Sequence, residues 1–265
     1  MLIAQISDSH MLPPGETAYG GVDTAAALEA AVKTVNRLKP DLVLHTGDFA
    51  HHGAPAAYGL AIDILGGLKA PWVAIPGNHD DRANMRAACK DLDWMPPGDA
   101  PDDFIHFTQD AGPLNVVALD TTIPGEVGGT LCEIRLSWLD HQLTAGSPTP
   151  TIVALHHPPF APGLDGFAKI GLAHADRLAA LLSRHSHVIR VVAGHNHRSV
   201  FGMCGPVPTV VAPSLAFMFA FDTAKGAPLA ISSETPGVAM HLWTEADGLL
   251  SHVVPIGEYE TTQIR

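Results

Sequence analysis

The run VIRVVAGHNHRSV (188–200) carries two histidines, His195 and His197, set two residues apart. Imidazole is a common metal ligand, but the chain has 16 histidines in 265 residues, so a pair on a turn is no site by itself. Partners elsewhere in the chain decide the matter. Asp8 and His10 stand in SDSH (7–10), and Asp48 in GDFAHHG (47–53). Asn78 and His79 stand in GNHD (77–80), and His156 and His157 in HHPP (156–159). Residues i and i+2 of an extended segment project to the same side, so Asp8 and His10 can hold one ion together. His195 and His197 share that spacing and could reach one ion or two adjacent ones. Carboxylate, imidazole and amide oxygen form a donor set suited to Zn, Mn, Fe or Co. Each piece alone has a plainer reading: a turn at SDSH, a cap or turn at Asp48, backbone-satisfied histidines at HHPP. Five such segments, each directly after an apolar run, are harder to explain that way.

The apolar runs are the elements that must position these groups. LIAQIS (2–7), DLVLHTGD (41–48) and PWVAIPGNHD (71–80) each read as a strand running into a turn. Between them, apolar residues recur at helical spacing over 22–38 and over 55–68, with Asp23 and Thr24 as cap candidates and Pro40 as a stop. A short helix is expected over 81–90. Strands alternating with helices predict a parallel sheet covered by helices. FIHFTQ (104–109) and LNVVALD (114–120) read as a hairpin, 134–145 and 172–184 as helices, and TIVALHHPP (151–159) as another strand. Beyond 197 short strands dominate, and 226–237 is the most loop-like stretch. In such sheets ligands bind where the carboxyl ends of strands open into loops, so the five segments point to one crevice. Specificity is expected from loops such as 11–21, 121–130 and 159–170.

Composition narrows the function classes. With 46% hydrophobic residues the chain can build a substantial core. A formal net charge of −12 argues against binding long nucleic acid, which requires a basic face. A small anion remains possible, because bound cations invert local charge. The three cysteines, Cys89, Cys132 and Cys204, have no CxxC spacing and suggest neither a disulfide framework nor a thiolate zinc site. No stretch reaches the ~20 apolar residues of a membrane span. MLIAQISDSH has no basic segment of a signal peptide, so a cytoplasmic protein is expected.

Taken together, SDSH, GDFAHHG, GNHD, HHPP and GHNH resemble the five signature blocks of the calcineurin-like metallophosphoesterases. Within them, the chain is similar to the bacterial class III cyclic-nucleotide phosphodiesterase and glycerophosphodiesterase group. The YG-x-x-D stretch at 19–23 and the PS-x-A-x segment at 213–217 also fit that group. The resemblance implies an α/β fold, a four-layer α/β/β/α sandwich of two mixed β-sheets flanked by helices. It implies a single domain over 1–265, with 198–265 a β-rich tail completing the second sheet and offering a subunit interface.

The same resemblance implies two divalent or trivalent ions, of Fe, Mn, Zn or Co. Asp8, His10 and His197 would hold one, Asn78, His156 and His195 the other, and Asp48 would bridge them. Two such ions ~3.5–4 Å apart clamp a phosphate and generate a hydroxide for in-line attack. His79 would be the catalytic histidine, stabilising the phosphoryl oxygens or protonating the leaving group. Asp80 either steadies His79 or caps the helix near 81. Asn78, His79, Tyr19 and His51 are the substrate-binding candidates. His51 is a departure, because many relatives carry Asp or Asn there, able to orient the histidine of GNH. The expected activity is hydrolysis of small phosphodiesters, whether cyclic nucleotides, glycerophosphodiesters or alkyl esters. A phosphomonoesterase and a non-catalytic metal-binding scaffold are the alternatives. A homodimer or higher homo-oligomer is expected.

Overall fold

A computed structural model describes residues 1–97, 103–146 and 148–264. The first third alternates as the apolar runs require. It runs β1 (Leu2–Ile6), α1 (Thr24–Leu38), β2 (Leu42–His45), α2 (Pro55–Leu65), β3 (Trp72–Ala74) and α3 (Arg82–Cys89). Asp23 caps α1 by accepting from the Ala26 amide at 3.0 Å, and Lys39 ends it in a left-handed conformation. The hairpin of β4 (Phe107–Ala111) and β5 (Leu114–Ala118) follows. Next come β6 (Gly129–Thr130), α4 (Glu133–Gly146), β7 (Thr151–Ala154), β8 (Leu172–Ala173), α5 (Ala175–Leu182) and β9 (Val188–Ala193). The helix expected over 172–184 is therefore shorter. Leu172–Ala173 pairs with Gly129–Thr130 instead, and His174 turns the chain at φ 55° before α5 begins.

The last quarter comprises β10 (Val200–Cys204), β11 (Val207–Val211), β12 (Met218–Phe219), β13 (Ile231–Ser232), β14 (Gly237–Thr244) and β15 (Gly248–Pro255). Two larger sheets result, ordered β15-β14-β1-β2-β3 and β10-β11-β9-β7-β5-β4. Where the sequence suggested that the tail completes the second sheet, it divides. β10 and β11 extend the second sheet, and β14 and β15 pair back onto β1 in the first. Short alternating strands carry no mark of which edge they will meet, so pairing is decided by the tertiary fold.

Strand periodicity sorts the core into layers. Ile3, Leu42, Leu44 and Val73 on one sheet meet Val116, Ile152 and Val192 on the other. The alternate residues Ala4, Ile6 and Val43 face Leu28, Val35 and Tyr58 of α1 and α2. On the far side, Val117, Val153 and Val191 face Leu139 and Leu143 of α4 and Leu178 and Leu182 of α5. This is the expected α/β/β/α sandwich. Each fully buried aliphatic side chain contributes ~1.5–3 kcal/mol, so the three interfaces dominate stability. No described helix is long and apolar enough to cross a membrane.

Candidate metal centre

The five polar segments meet at one edge of the sandwich because all follow parallel strands. SDSH follows β1, Thr46–Asp48 follows β2 and GNHD follows β3, while HHPP follows β7 and GHNH follows β9. Backbone bonds stitch them: Asp8 N donates to Gly47 O at 3.0 Å, and Gly194 N to His156 O at 3.0 Å. His195 N donates to both oxygens of the Asp8 carboxylate at 3.1 Å, joining the two sheets. Asp8, His10, Asp48, His195 and His197 all hold positive φ, between 44° and 70°. Non-glycine residues rarely adopt that region, and clusters of them mark sites where the fold imposes a side-chain direction. Gly77 is required by close approach, since a Cβ there would strike the Asp48 carboxylate.

The side chains form two donor sets that share Asp48. In the first, ligand atoms of Asp8, His10, Asp48 and His197 all lie within 4.8 Å of one another. His10 Nε2 stands 2.9 Å from His197 Nε2 and 3.5 Å from Asp48 Oδ2. The opposite nitrogens are occupied, His197 Nδ1 by Phe217 O at 2.8 Å and His10 Nδ1 by His51 Nδ1 at 3.0 Å. In the second set, Asn78 Oδ1 lies 3.2 Å from His156 Nε2 and 3.0 Å from His195 Nδ1. His156 Nε2 is 3.4 Å from Asp48 Oδ2, while its Nδ1–H donates to Thr46 O at 2.7 Å. For His10, His156 and His197, a ring nitrogen tied from behind leaves the other aimed inward, the arrangement that prepares imidazoles for a metal.

The charge balance points the same way. Asp8 and Asp48 are almost fully buried, and among the described residues neither has a Lys or Arg partner. Burial opposes ionisation of Asp8, but His197 outweighs it and the pKa falls to about 2. Asp48 likewise ionises against its burial, drawn well below the usual carboxylate range chiefly by His156. His156 answers: burial resists its charge, yet the Asp48 carboxylate raises it to about 9. Burial holds His10 well below the ordinary histidine value and takes His195 down to about 3. Two buried carboxylates among largely neutral imidazoles leave a centre short of positive charge. His195 Nε2 is moreover buried without a hydrogen-bond partner. Cations fit this donor set.

The remaining candidates sort by position. His79 donates Nδ1–H to His51 O at 2.7 Å, leaving Nε2 free, and its amide donates to Asp48 Oδ1 at 2.9 Å. Asp80 neither touches His79 nor caps the third helix. It accepts from the amides of Phe49, Ala50 and Gly77 and from Tyr58 Oη, pinning two ligand loops together, while Asp81 is the cap. His157 stands with His156 and His195 among side chains close enough to share an ion, but both its ring nitrogens are engaged, by Thr121 Oγ1 at 2.8 Å and Val127 O at 3.1 Å. Tyr19, Asn78 and His79 line a cavity of about 170 Å³ above the donor sets. His51 does not: it is buried behind His10, stacked on His79 at 5.1 Å, with its carbonyl rather than its ring holding His79.

Sequence reasoning missed several groups. Ser214 Oγ donates to Asp8 O at 2.9 Å, and Phe217 stacks on His10 at 5.1 Å. The PS-x-A-x segment was their signal. Phe217 and Phe219 lie in an apolar stretch of the sequence that could wall a nucleobase or an alkyl group, whereas Phe167, Ile170 and Leu229 on the same cavity had no comparable mark.

Residues 1–199 match the protein family described as calcineurin-like phosphoesterase. The chain is 32% identical over 271 residues to a probable glycerophosphodiester phosphodiesterase GpdQ of Arcobacter nitrofigilis, covering 98% of this chain and 95% of that one. It is also 32% identical over 266 residues to a cAMP/cGMP dual specificity phosphodiesterase of Mycobacterium tuberculosis, covering 98% and 81%. Among solved structures, a dimetal phosphatase from Danio rerio superposes with a TM-score of 0.63 at 16% identity, covering 97% of this chain and 99% of that one.

Proposed function

The chain belongs to the calcineurin-like phosphoesterases, and from that premise and the geometry of its centre we propose that it is a metal-dependent hydrolase of small phosphodiesters. The observation that carries this reading is the pair of donor sets meeting at Asp48. Asp8, His10 and His197 would hold one ion and Asn78, His156 and His195 the other, with Asp48 within reach of both. Two cations held there would polarise a phosphoryl group and acidify a coordinated water. The protein's own part is to position and to move protons. His51 O accepts the Nδ1–H of His79, which leaves Nε2 to take up a proton and then, as the imidazolium, donate it to the phosphoryl or leaving oxygen. The names of both relatives support a diester over a monoester.

The test is metal-stripped protein reloaded with Mn, Co, Zn or Fe and given an aryl phosphodiester or the matching monoester. Metal-restored turnover with a clear diester preference is expected. His79→Ala should keep both ions by elemental analysis and lose roughly 10²–10⁴ in rate. Equal or better monoester turnover would make the protein a phosphatase. No turnover with two ions bound would make it a scaffold. Phe201 and Met203, 62% and 52% exposed on β10, support a homodimer through that edge. Light scattering that returns the 27.9 kDa of one chain would exclude it.

A further inference from the structure

The cavity above the donor sets is walled on one side by Val127, Phe167, Ile170, Phe217, Phe219 and Leu229. Among the described residues no Lys or Arg lines it, and beyond the groups of the centre and His79 its polar side chains reduce to Tyr19. Three of its rings border the centre: Phe219 lies 4.6 Å from His197, Phe167 lies 5.8 Å from His195 and Phe217 lies 5.1 Å from His10. His79 has other ring neighbours, His10 at 4.7 Å and His51 at 5.1 Å. A diester bound at the centre with its departing oxygen at His79 would lay its other ester group on this wall.

The wall is also preformed. β12 and β13 pair as a hairpin that carries Phe219. Arg198, next to His197, donates to Phe219 O and pairs with Glu234, so its charge is used in holding the hairpin. Leu229 packs directly over Gly166, where a Cβ would strike it, and Gly226 N donates to Asp165 Oδ2 at 2.7 Å. An apolar group entering here would meet rings and aliphatic carbons already in place. A polyol or charged head group would lose part of its hydration with only the Tyr19 hydroxyl as a side-chain partner beyond the centre and His79, which costs free energy.

Resting on the phosphodiesterase reading, we propose that this enzyme selects diesters whose retained ester group is apolar, alkyl or aryl, over those of polyols and charged head groups. The test is a series of 4-nitrophenyl phosphodiesters with a common leaving group and a varied retained group: methyl, butyl, phenyl, 2-hydroxyethyl and 2,3-dihydroxypropyl. Manganese-loaded enzyme should favour butyl over methyl in kcat/KM by roughly 30- to 60-fold, since butyl adds three methylenes and each, when buried, is worth about 3- to 4-fold. The dihydroxypropyl ester should do no better than methyl. Leu229→Ser and Phe219→Ser should each shrink the butyl-to-methyl ratio by at least about 3-fold. Leu229 is 41% exposed, so its replacement leaves the core intact. A dihydroxypropyl ester cleaved as well as butyl, or a ratio unmoved in both variants, would overturn the selectivity while leaving diester hydrolysis standing. Loaded enzyme that cleaves a monoester and no member of the series would overturn the phosphodiesterase reading itself, and the selectivity with it.

Discussion

At the scale of single residues, a ring points its lone pair at an ion only if its other nitrogen is held. For His10 that holder is His51, ring nitrogen to ring nitrogen at 3.0 Å. If His10 Nε2 serves a metal, His10 Nδ1–H donates and His51 Nδ1 accepts, with the His51 proton on Nε2. A neutral imidazole thus does what a carboxylate usually does behind a metal-bound histidine, and adds no charge. His51→Ala should free the His10 ring and weaken manganese binding by roughly 10- to 100-fold, read by calorimetric titration of stripped protein. His51→Asn, which restores an acceptor, should recover part of that loss. An alanine variant with unchanged affinity would mean that the backbone alone, at φ 44°, sets His10. The sequence marked His51 as unusual but could not say which histidine it faces. That depends on the packing of two turns 41 residues apart in the chain, which no local pattern encodes.

At the scale of elements, the first three strands and their helices were legible because each apolar run ends in a turn and each helix has a stop. Convergence of five segments was legible too, since parallel strands must open at a common edge. The destination of β14 was not. It lies between β1 and β15, so most of its residues are buried, including His241. That residue donates and accepts between Ser251 Oγ at 2.8 Å and Gln5 Oε1 at 3.1 Å. Burial first, and then the charge of Arg190, lower its pKa from 6.5 to about 3. The unfolded chain therefore takes up a proton near pH 6.5 that the folded chain refuses until about pH 3. Stability contributed by the neutral ring is complete above pH 6.5 and is lost as pH falls across that window, at up to ~1.4 kcal/mol per pH unit. His241→Gln keeps a hydrogen-bonding side chain and removes the proton. Urea unfolding of chelated protein between pH 7 and pH 4.5 should lose stability less steeply in the variant. Identical acid slopes would show that His241 titrates normally and is not held neutral by the sheet.

At the scale of the whole molecule, the centre joins the two halves of the sandwich. Asp8, Asp48 and Asn78 come from loops of the first sheet, and His156, His195 and His197 from loops of the second. The chain carries 27 acidic against 15 basic residues, and two of its carboxylates are buried at that junction without Lys or Arg partners among the described residues. Cations there would both discharge the junction and cross-link the sheets. An ion that binds the folded state and not the unfolded one stabilises it by ~4 kcal/mol at a thousand times its dissociation constant. For a domain of this size each kcal/mol moves the melting temperature by about 2–4 °C, so stripping the protein with a chelator should lower it by about 8–16 °C. Scanning calorimetry with and without manganese reads this directly, independent of any substrate. Asp48→Asn should erase most of the difference, because it removes a donor from both sets. Equal melting temperatures for stripped and loaded protein would mean that the edge of the sandwich is held by its backbone bonds alone. Asp8 and Asp48 would then be balanced within the protein, with the His156 imidazole, its pKa raised, facing Asp48, and the dinuclear assignment would fail.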